Sequence, residues 1–207
     1  MSDADFDYEK ATIAQLRAQA ESEDPYAMNA LGWRYGQGDG IARDPEESRR
    51  WYARSAALGN AEGLYNLGVC HVNGDLGKID PVEACRLWRL AAAKNHYAAL
   101  GNLGISYYYG NGVPQDYVQA REWFLRSANT DEPRAMGMMG QFYHLARGVP
   151  EDKIEALAWY LLAAEQSDET AVPRTNLLRE LTPAQQASAR SRAEVLRQSI
   201  KRTPYLD

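Results

Sequence analysis

Ala99-Leu100-Gly101-Asn102-Leu103-Gly104, running on through Tyr107 to Gly110-Asn111-Gly112-Val113 and closing with Ala120, Trp123 and Ala128, is the stretch that decides the fold. Its Leu-Gly pair recurs at Leu31-Gly32 and Leu67-Gly68 and, as Met139-Gly140, once more, so each step is 36 residues (67 − 31, 103 − 67, 139 − 103). Ala27, Gly63, Ala99 and Ala135 stand four residues before the pair, and Tyr35, His71, Tyr107 and Tyr143 four after its first member. A tryptophan follows in each copy, at Trp51, Trp88, Trp123 and Trp159. Trp88 arrives one residue late, which we read as an extra loop residue near Leu76-Gly77, compensated by a shortened turn near Asn95-His96. Four copies at one period identify a repeat architecture.

At about 100° per residue, Ala27, Leu31, Tyr35 and Gly38 fall within about 80° of one another, a single apolar stripe on a helix. The partner of that stripe is a second helix in each copy, marked by Ala120, Trp123 and Ala128 or by Ala156, Trp159 and Ala163-Ala164. Between the two lie glycine-rich turns such as Gly38-Asp39-Gly40 and Gly110-Asn111-Gly112, which leave a helix through positive φ. Asp44-Pro45 and Asp80-Pro81 read as the cap and first position of the second helix. Gly32, Gly68, Gly104 and Gly140 sit inside helices at a cost of about 1 kcal/mol each against alanine, so close helix contact has to offset that cost.

These residues resemble the pattern A-x-x-x-L-G-x-x-Y-x-x-G-x-G-V…A-x-x-W-x-x-x-A-A of the Sel-one-like repeat family, relatives of the tetratricopeptide repeats, over about Pro25 to Gln166. The resemblance implies an all-α fold, a right-handed α-α superhelix (solenoid) of antiparallel helix pairs with the first helix of each pair on the inner curve. Secreted members of that family carry paired cysteines near the Ala-Ala of one helix and shortly before the next Leu-Gly. Ala92-Ala93 and Leu100 stand at those places here, so Cys70 and Cys85 are expected as reduced structural thiols, Cys85 in the small core position held elsewhere by Ser48, Ala120 and Ala156.

Stacked repeats share one core, so residues 1–207 are expected as a single repeat domain. Its parts are an N-terminal capping helix over 8–21, full repeats over 25–59, 60–96, 97–131 and 132–168, and C-terminal capping helices over 170–201. Thr182-Pro183 starts the last helix, with Leu181, Ala187, Val195 and Leu196 docking it. The net charge of −5 gives no footprint for nucleic-acid binding, and no apolar run has the length to span a bilayer. Met1 to Asp7 is acidic and lacks the basic-then-apolar order of a secretion signal, so the expectation is cytoplasmic. The acidic start and basic end (Arg174, Arg179, Arg190, Arg192, Arg197, Lys201, Arg202) allow head-to-tail association, but solvated caps on a monomer are the simpler reading.

No catalytic arrangement is found: H-E-x-x-H, C-x-x-C, G-x-x-x-x-G-K-[ST] and G-x-S-x-G are all absent. No cofactor or metal site is expected. The three histidines are scattered: His71 stands in for the repeat tyrosine, His96 lies in a turn, and His144 alone falls on a face that a ligand could meet. Opposite the core stripe of the first helices lie Asn29, Trp33 and Gln37. The corresponding places hold Tyr65, Asn66, Val69 and Asn73, then Asn102, Ile105, Tyr108 and Tyr109, then Met138, Gln141, His144 and Leu145. This collection is aromatic, amide-bearing and poor in charge, like the core of a protein interface. Trp33, Tyr65, Tyr108 and Tyr109 are the expected apolar anchors, and Asn66 and Asn102 the groups that hold a peptide backbone.

The expected function is therefore a non-enzymatic adaptor or regulator that binds a segment of another protein in the concave groove. An inhibitor or immunity protein that blocks an enzyme or toxin is the nearest alternative. A β-lactamase-like hydrolase is the alternative from another class, and the missing nucleophile and base count against it.

Overall fold

The computed structural model describes residues 6–74 and 77–202. Among the described residues the secondary structure is wholly α-helical: α1 (Ile13–Glu21), α2 (Pro25–Gln37), α3 (Pro45–Ala57), α4 (Ala61–Asn73), α5 (Pro81–Ala92), α6 (Tyr97–Tyr109), α7 (Tyr117–Ala128), α8 (Pro133–His144), α9 (Lys153–Ala163), α10 (Ala171–Glu180) and α11 (Pro183–Arg202). The helices fall into two compact units, one ending at Ala99 and the other beginning at Leu100.

The turn between the paired helices is built the same way in all four repeats. Asp44, Asp80, Asp116 and Asp152, 36 residues apart, cap the second helices. The carboxylate accepts from Glu47 N–H at 3.0 Å in the first repeat and from Glu83 N–H at 3.0 Å in the second. The backbone N–H of each cap donates back to the carbonyl of the repeat tyrosine position (Tyr35, His71, Tyr107 and Tyr143) at 2.9–3.0 Å. At the ends of α2, α4 and α6 the chain turns through Gly38, Gly74 and Gly110 with φ of 76–77°, where glycine meets no Cβ clash. The fourth repeat puts Ala146 there with φ 53°. Since a left-handed residue with a Cβ costs about 1–2 kcal/mol, Ala146→Gly is expected to raise the unfolding free energy by about 0.5–1 kcal/mol after the added unfolded-state entropy is subtracted. Urea denaturation followed by circular dichroism checks this.

The constant cap spacing overturns the extra loop residue and shortened turn inferred from Trp88. Leu76 lies outside the described residues, but the caps on either side of it, Asp44 and Asp80, are one full period apart, as are the first-helix caps Asp24 and Asn60. A Cβ built on Gly32, Gly68, Gly104 or Gly140 would strike the ring of Tyr52, Trp88, Phe124 or Tyr160 at 2.5–2.9 Å. Those four rings are also 36 residues apart. Trp88 is thus the ring that seats on the helix glycine, and Leu87 occupies the place of Trp51, Trp123 and Trp159. By the same count Ala84, not Cys85, matches Ser48, Ala120 and Ala156. Cys70 and Cys85 are both buried thiols.

In the first unit α1 packs on α2, α2 on α3, α3 on α4 and α4 on α5, and α2 also lies against α4. Leu16 and Ala20 of α1 are buried beside Ala27, Met28, Leu31 and Tyr35. The N-terminal helix is shorter than expected from 8–21. Thr12 and Gln15 form a capping box, the Thr12 hydroxyl accepting from Gln15 N–H and Gln15 Oε1 accepting from Thr12 N–H, so the helix starts at Ile13 and residues 8–10 form a turn. In the second unit α7 packs on α8, α8 on α9, and α9 also carries α10 and α11. An equivalent Thr182–Gln185 box starts α11. Its docking face corrects the expected one. Leu181 and Leu196 are buried as anticipated, Ala187 and Val195 are exposed, and Ala189, Ala193, Leu196 and Ile200 form the buried i, i+4, i+7, i+11 stripe.

Three arginines of the basic end are paired within their own unit. Arg192 donates to Glu155 at 2.6 Å and Arg174 to Asp168 at 3.1 Å, while Arg197 is paired with Glu165 and Glu194. The side chains of Lys201 and Arg202 lie outside what is described.

Candidate functional site

The residues expected to meet a partner are placed in both units, and their surroundings differ. In the first unit Trp33 projects from α2 with 49% of its surface exposed. The Arg34 guanidinium lies 5.8 Å from its ring. Asn29, Tyr65 and Asn66 are half-buried. Asn66 Nδ2 donates to Asn29 Oδ1 at 3.0 Å, tying α4 to α2, and to Glu62 Oε1 at 3.4 Å. The Asn66 amide is therefore already committed, which leaves its carbonyl oxygen for a ligand.

The chain of contacts continues to His96. Glu62 Oε2 lies 2.7 Å from His96 Nε2, and Ala99 N–H donates to His96 Nδ1 at 3.3 Å. With Nδ1 accepting, the proton on Nε2 is the one donated to Glu62. The His96 bond, the largest influence, holds the Glu62 carboxyl below its ordinary range against the opposing effect of burial. Tyr65 and Tyr97 both stack on the imidazole, with centroids at 4.7 and 5.6 Å. His96 is thus not an idle turn residue: it caps the start of α6 and braces a carboxylate. The signal in the sequence was its place in the series Asp24, Asn60, His96, Glu132, the first-helix caps.

In the second unit Asn102 is half-buried, and Tyr109 is 64% exposed at the end of α6. Tyr108 does not serve as an exposed anchor. It is 5% exposed, its ring meets Tyr109, Tyr117 and Phe142 edge-on at 4.8–5.7 Å, and its hydroxyl accepts from Arg147. The guanidinium of Arg147 also lies over the ring at 4.8 Å. Tyr108 shares its repeat position with Gly36, Val72 and His144 rather than with Trp33, and Phe142 and Arg147 of the next repeat bury it. The position that matches Trp33 holds Ile105, which is exposed.

Met138 and Gln141 line a shallow cleft between α8 and α10, with Tyr160, Thr170 and Pro173 forming its far wall. His144 sits beside it, its Nδ1 3.5 Å from the Tyr160 hydroxyl. Among the described residues no group of three or more His, Cys, Asp or Glu is placed to hold a metal ion, and no helix is long and apolar enough to cross a membrane. What the arrangement offers is contact: exposed rings and aliphatic side chains next to amides on the first-helix faces.

Comparison with known proteins agrees with this architecture. The family model described as Sel1 repeat matches residues 25–60, 61–96, 98–129 and 133–168. Among solved structures, a Sel1 repeat protein from Oxalobacter formigenes superposes with a TM-score of 0.75 at 30% identity, covering 79% of this chain and 66% of that one. The protein c5321, a protective antigen present in uropathogenic Escherichia coli strains and displaying an SLR fold, superposes with a TM-score of 0.58 at 25% identity, covering 91% of this chain and 48% of that one. The chain thus spans just under two thirds of one relative and about half of the other. Among curated proteins, nothing matches.

Proposed function

This chain belongs to the Sel1 repeat family, and from that premise we propose that it is a non-enzymatic adaptor or regulator that holds a segment of another protein against the outward faces of its first helices. Sel1 repeat proteins generally mediate protein–protein interaction, and the family is typically a non-catalytic scaffold. The observation that carries the reading is the exposure of Trp33, Ile105, Tyr109 and Leu145 on first helices whose other sides are buried in the core. Large aromatic side chains left in water beside hydrogen-bonding amides are the makings of interface anchors. Asn29, Tyr65, Asn66, Asn102, Met138 and Gln141 supply the half-buried surroundings in the two units. The protein acts as a monomer in this reading. The buried thiols Cys70 and Cys85 are in keeping with a reducing cytoplasm.

A photo-crosslinking amino acid at position 33 or 109 is expected to capture one partner, identified by mass spectrometry, while the same group at exposed Val82 on α5 captures none. Trp33→Ala with Tyr109→Ala should weaken that partner's affinity about tenfold with an unchanged thermal melt, the behaviour of anchor residues. Equal capture from Val82, or undiminished affinity in the double variant, refutes the placement.

A further inference from the structure

We infer that the docking face of the first unit takes an arginine side chain of the partner segment, seated on the Glu62 carboxylate beside the exposed Tyr97 ring. The inference rests on the protein-docking reading and adds the chemistry of the partner. Three observations converge on it.

The first is a charge left open. Among the described residues no lysine or arginine pairs with Glu62, whose side-chain partners are Asn66 and His96. Asn66 and His96 take one acceptor site on each oxygen. Each carboxylate oxygen has a second lone pair, and a carboxylate that accepts through both oxygens matches the paired N–H groups of a guanidinium better than the single ammonium of lysine.

The second is rigidity. His96 is fixed from behind by Ala99 N–H and has only 9% of its side chain exposed, and Asn66 is fixed by Asn29. The carboxylate is thus held before a ligand arrives, while 48% of its side chain still faces solvent. A preset acceptor saves the ordering cost that weakens most surface ion pairs.

The third is the aromatic setting. Tyr97 is exposed, Tyr65 is half-buried, and both stack on His96 next to the carboxylate. An exposed ring such as Tyr97 beside a carboxylate favours a planar cation that can stack and donate together. Asp7 of the N-terminal turn, Glu47 on α3 and Glu83 on α5 lack this combination, since each already has a lysine or an arginine as partner.

The test uses the full chain, labelled with ¹⁵N, and three blocked peptides of sequence Leu-X-Leu in which X is arginine, citrulline or lysine. The arginine peptide is expected to shift the amide signals of Glu62, Tyr65, His96 and Tyr97. Removing the charge with citrulline, or using Glu62→Gln, should each weaken binding about fivefold, the range of a well-formed charge-assisted pair at a partly exposed site. Tyr97→Ala should narrow the preference for arginine over lysine. Melting curves confirm that both variants fold. Equal affinity for citrulline, shifts centred on other residues, or no shift at millimolar peptide each overturn the inference. So does a concentration-dependent dimer that Glu62→Gln abolishes, which would make a second copy the occupant. If crosslinkers at positions 33 and 109 still capture a partner when the arginine peptide fails, the docking face stands and the arginine seat falls; if both fail, both readings fall.

Discussion

Trp88→Ala is expected to lower the unfolding free energy by about 3–5 kcal/mol, because it empties the space of a buried ring and removes the donor that bonds the Tyr65 carbonyl at 3.2 Å. The informative part is its coupling to Gly68. A Cβ at Gly68 would lie 2.5 Å from Trp88 Nε1 and 2.8 Å from Cδ1. Gly68→Ala alone should therefore cost about 1–3 kcal/mol through overpacking. With Trp88 already shortened to alanine, the same change should become neutral or stabilising by up to about 1 kcal/mol, the helix preference of alanine over glycine. Contact residues behave non-additively in this way. In the first repeat Tyr52→Ala should rescue Gly32→Ala, and Trp51→Ala should not. Urea unfolding of the single and double variants decides it. Equal cost of the glycine substitution in both backgrounds would show that ring contact is not why glycine stands there.

Alkaline pH is expected to weaken the fold well before the backbone or lysines account for it. Tyr160 is almost wholly buried, and burial pushes its phenol from 10.0 up to about 12. Burial also raises Tyr52, with Cys70 nearby adding to the shift. The neutral phenol is the favoured folded form. Above the unfolded value near pH 10 the unfolded chain has already lost a proton that the folded chain keeps, so stability is complete below about pH 10 and falls as pH rises toward about 12. For Tyr160 alone the loss approaches about 2–3 kcal/mol. Denaturation midpoints measured from about pH 9 to about pH 12 should fall steeply in the parent chain and less so in Tyr160→Phe. An identical slope in the two proteins would mean that Tyr160 ionises as freely folded as unfolded.

The period, the core stripe and the capped turns were legible in the sequence because each depends on residues close together in the chain. Ala27, Leu31 and Tyr35 share a face by helical geometry alone, and Asp44-Pro45 starts a helix whatever surrounds it. Trp88 stands one place off the other tryptophans because Trp51, Trp123 and Trp159 are each followed by a second ring, and in the second repeat the tryptophan fills that second place behind Leu87. The burial of Tyr108 is hidden from the sequence for a different reason. It depends on Phe142 and Arg147, more than thirty residues on, and no local spacing reports such a contact. The bracing of Glu62 by Asn66 and His96 also joins three helices. Only the 36-residue recurrence of cap positions hinted at the part His96 plays.

The uniform turns carry a consequence for how such a chain can change in size. Every cap from Asp44 to Asp152 closes on the tyrosine position of its own repeat, so the turn of each block is completed within that block. Gain or loss of material in whole multiples of the block leaves each junction with the same partners, whereas a single added residue between Gly110 and Asp116 would break the Asp116-to-Tyr107 bond. Growth of such a molecule is quantised, and the reach of its recognition surface is set by counting modules rather than by adjusting any one of them.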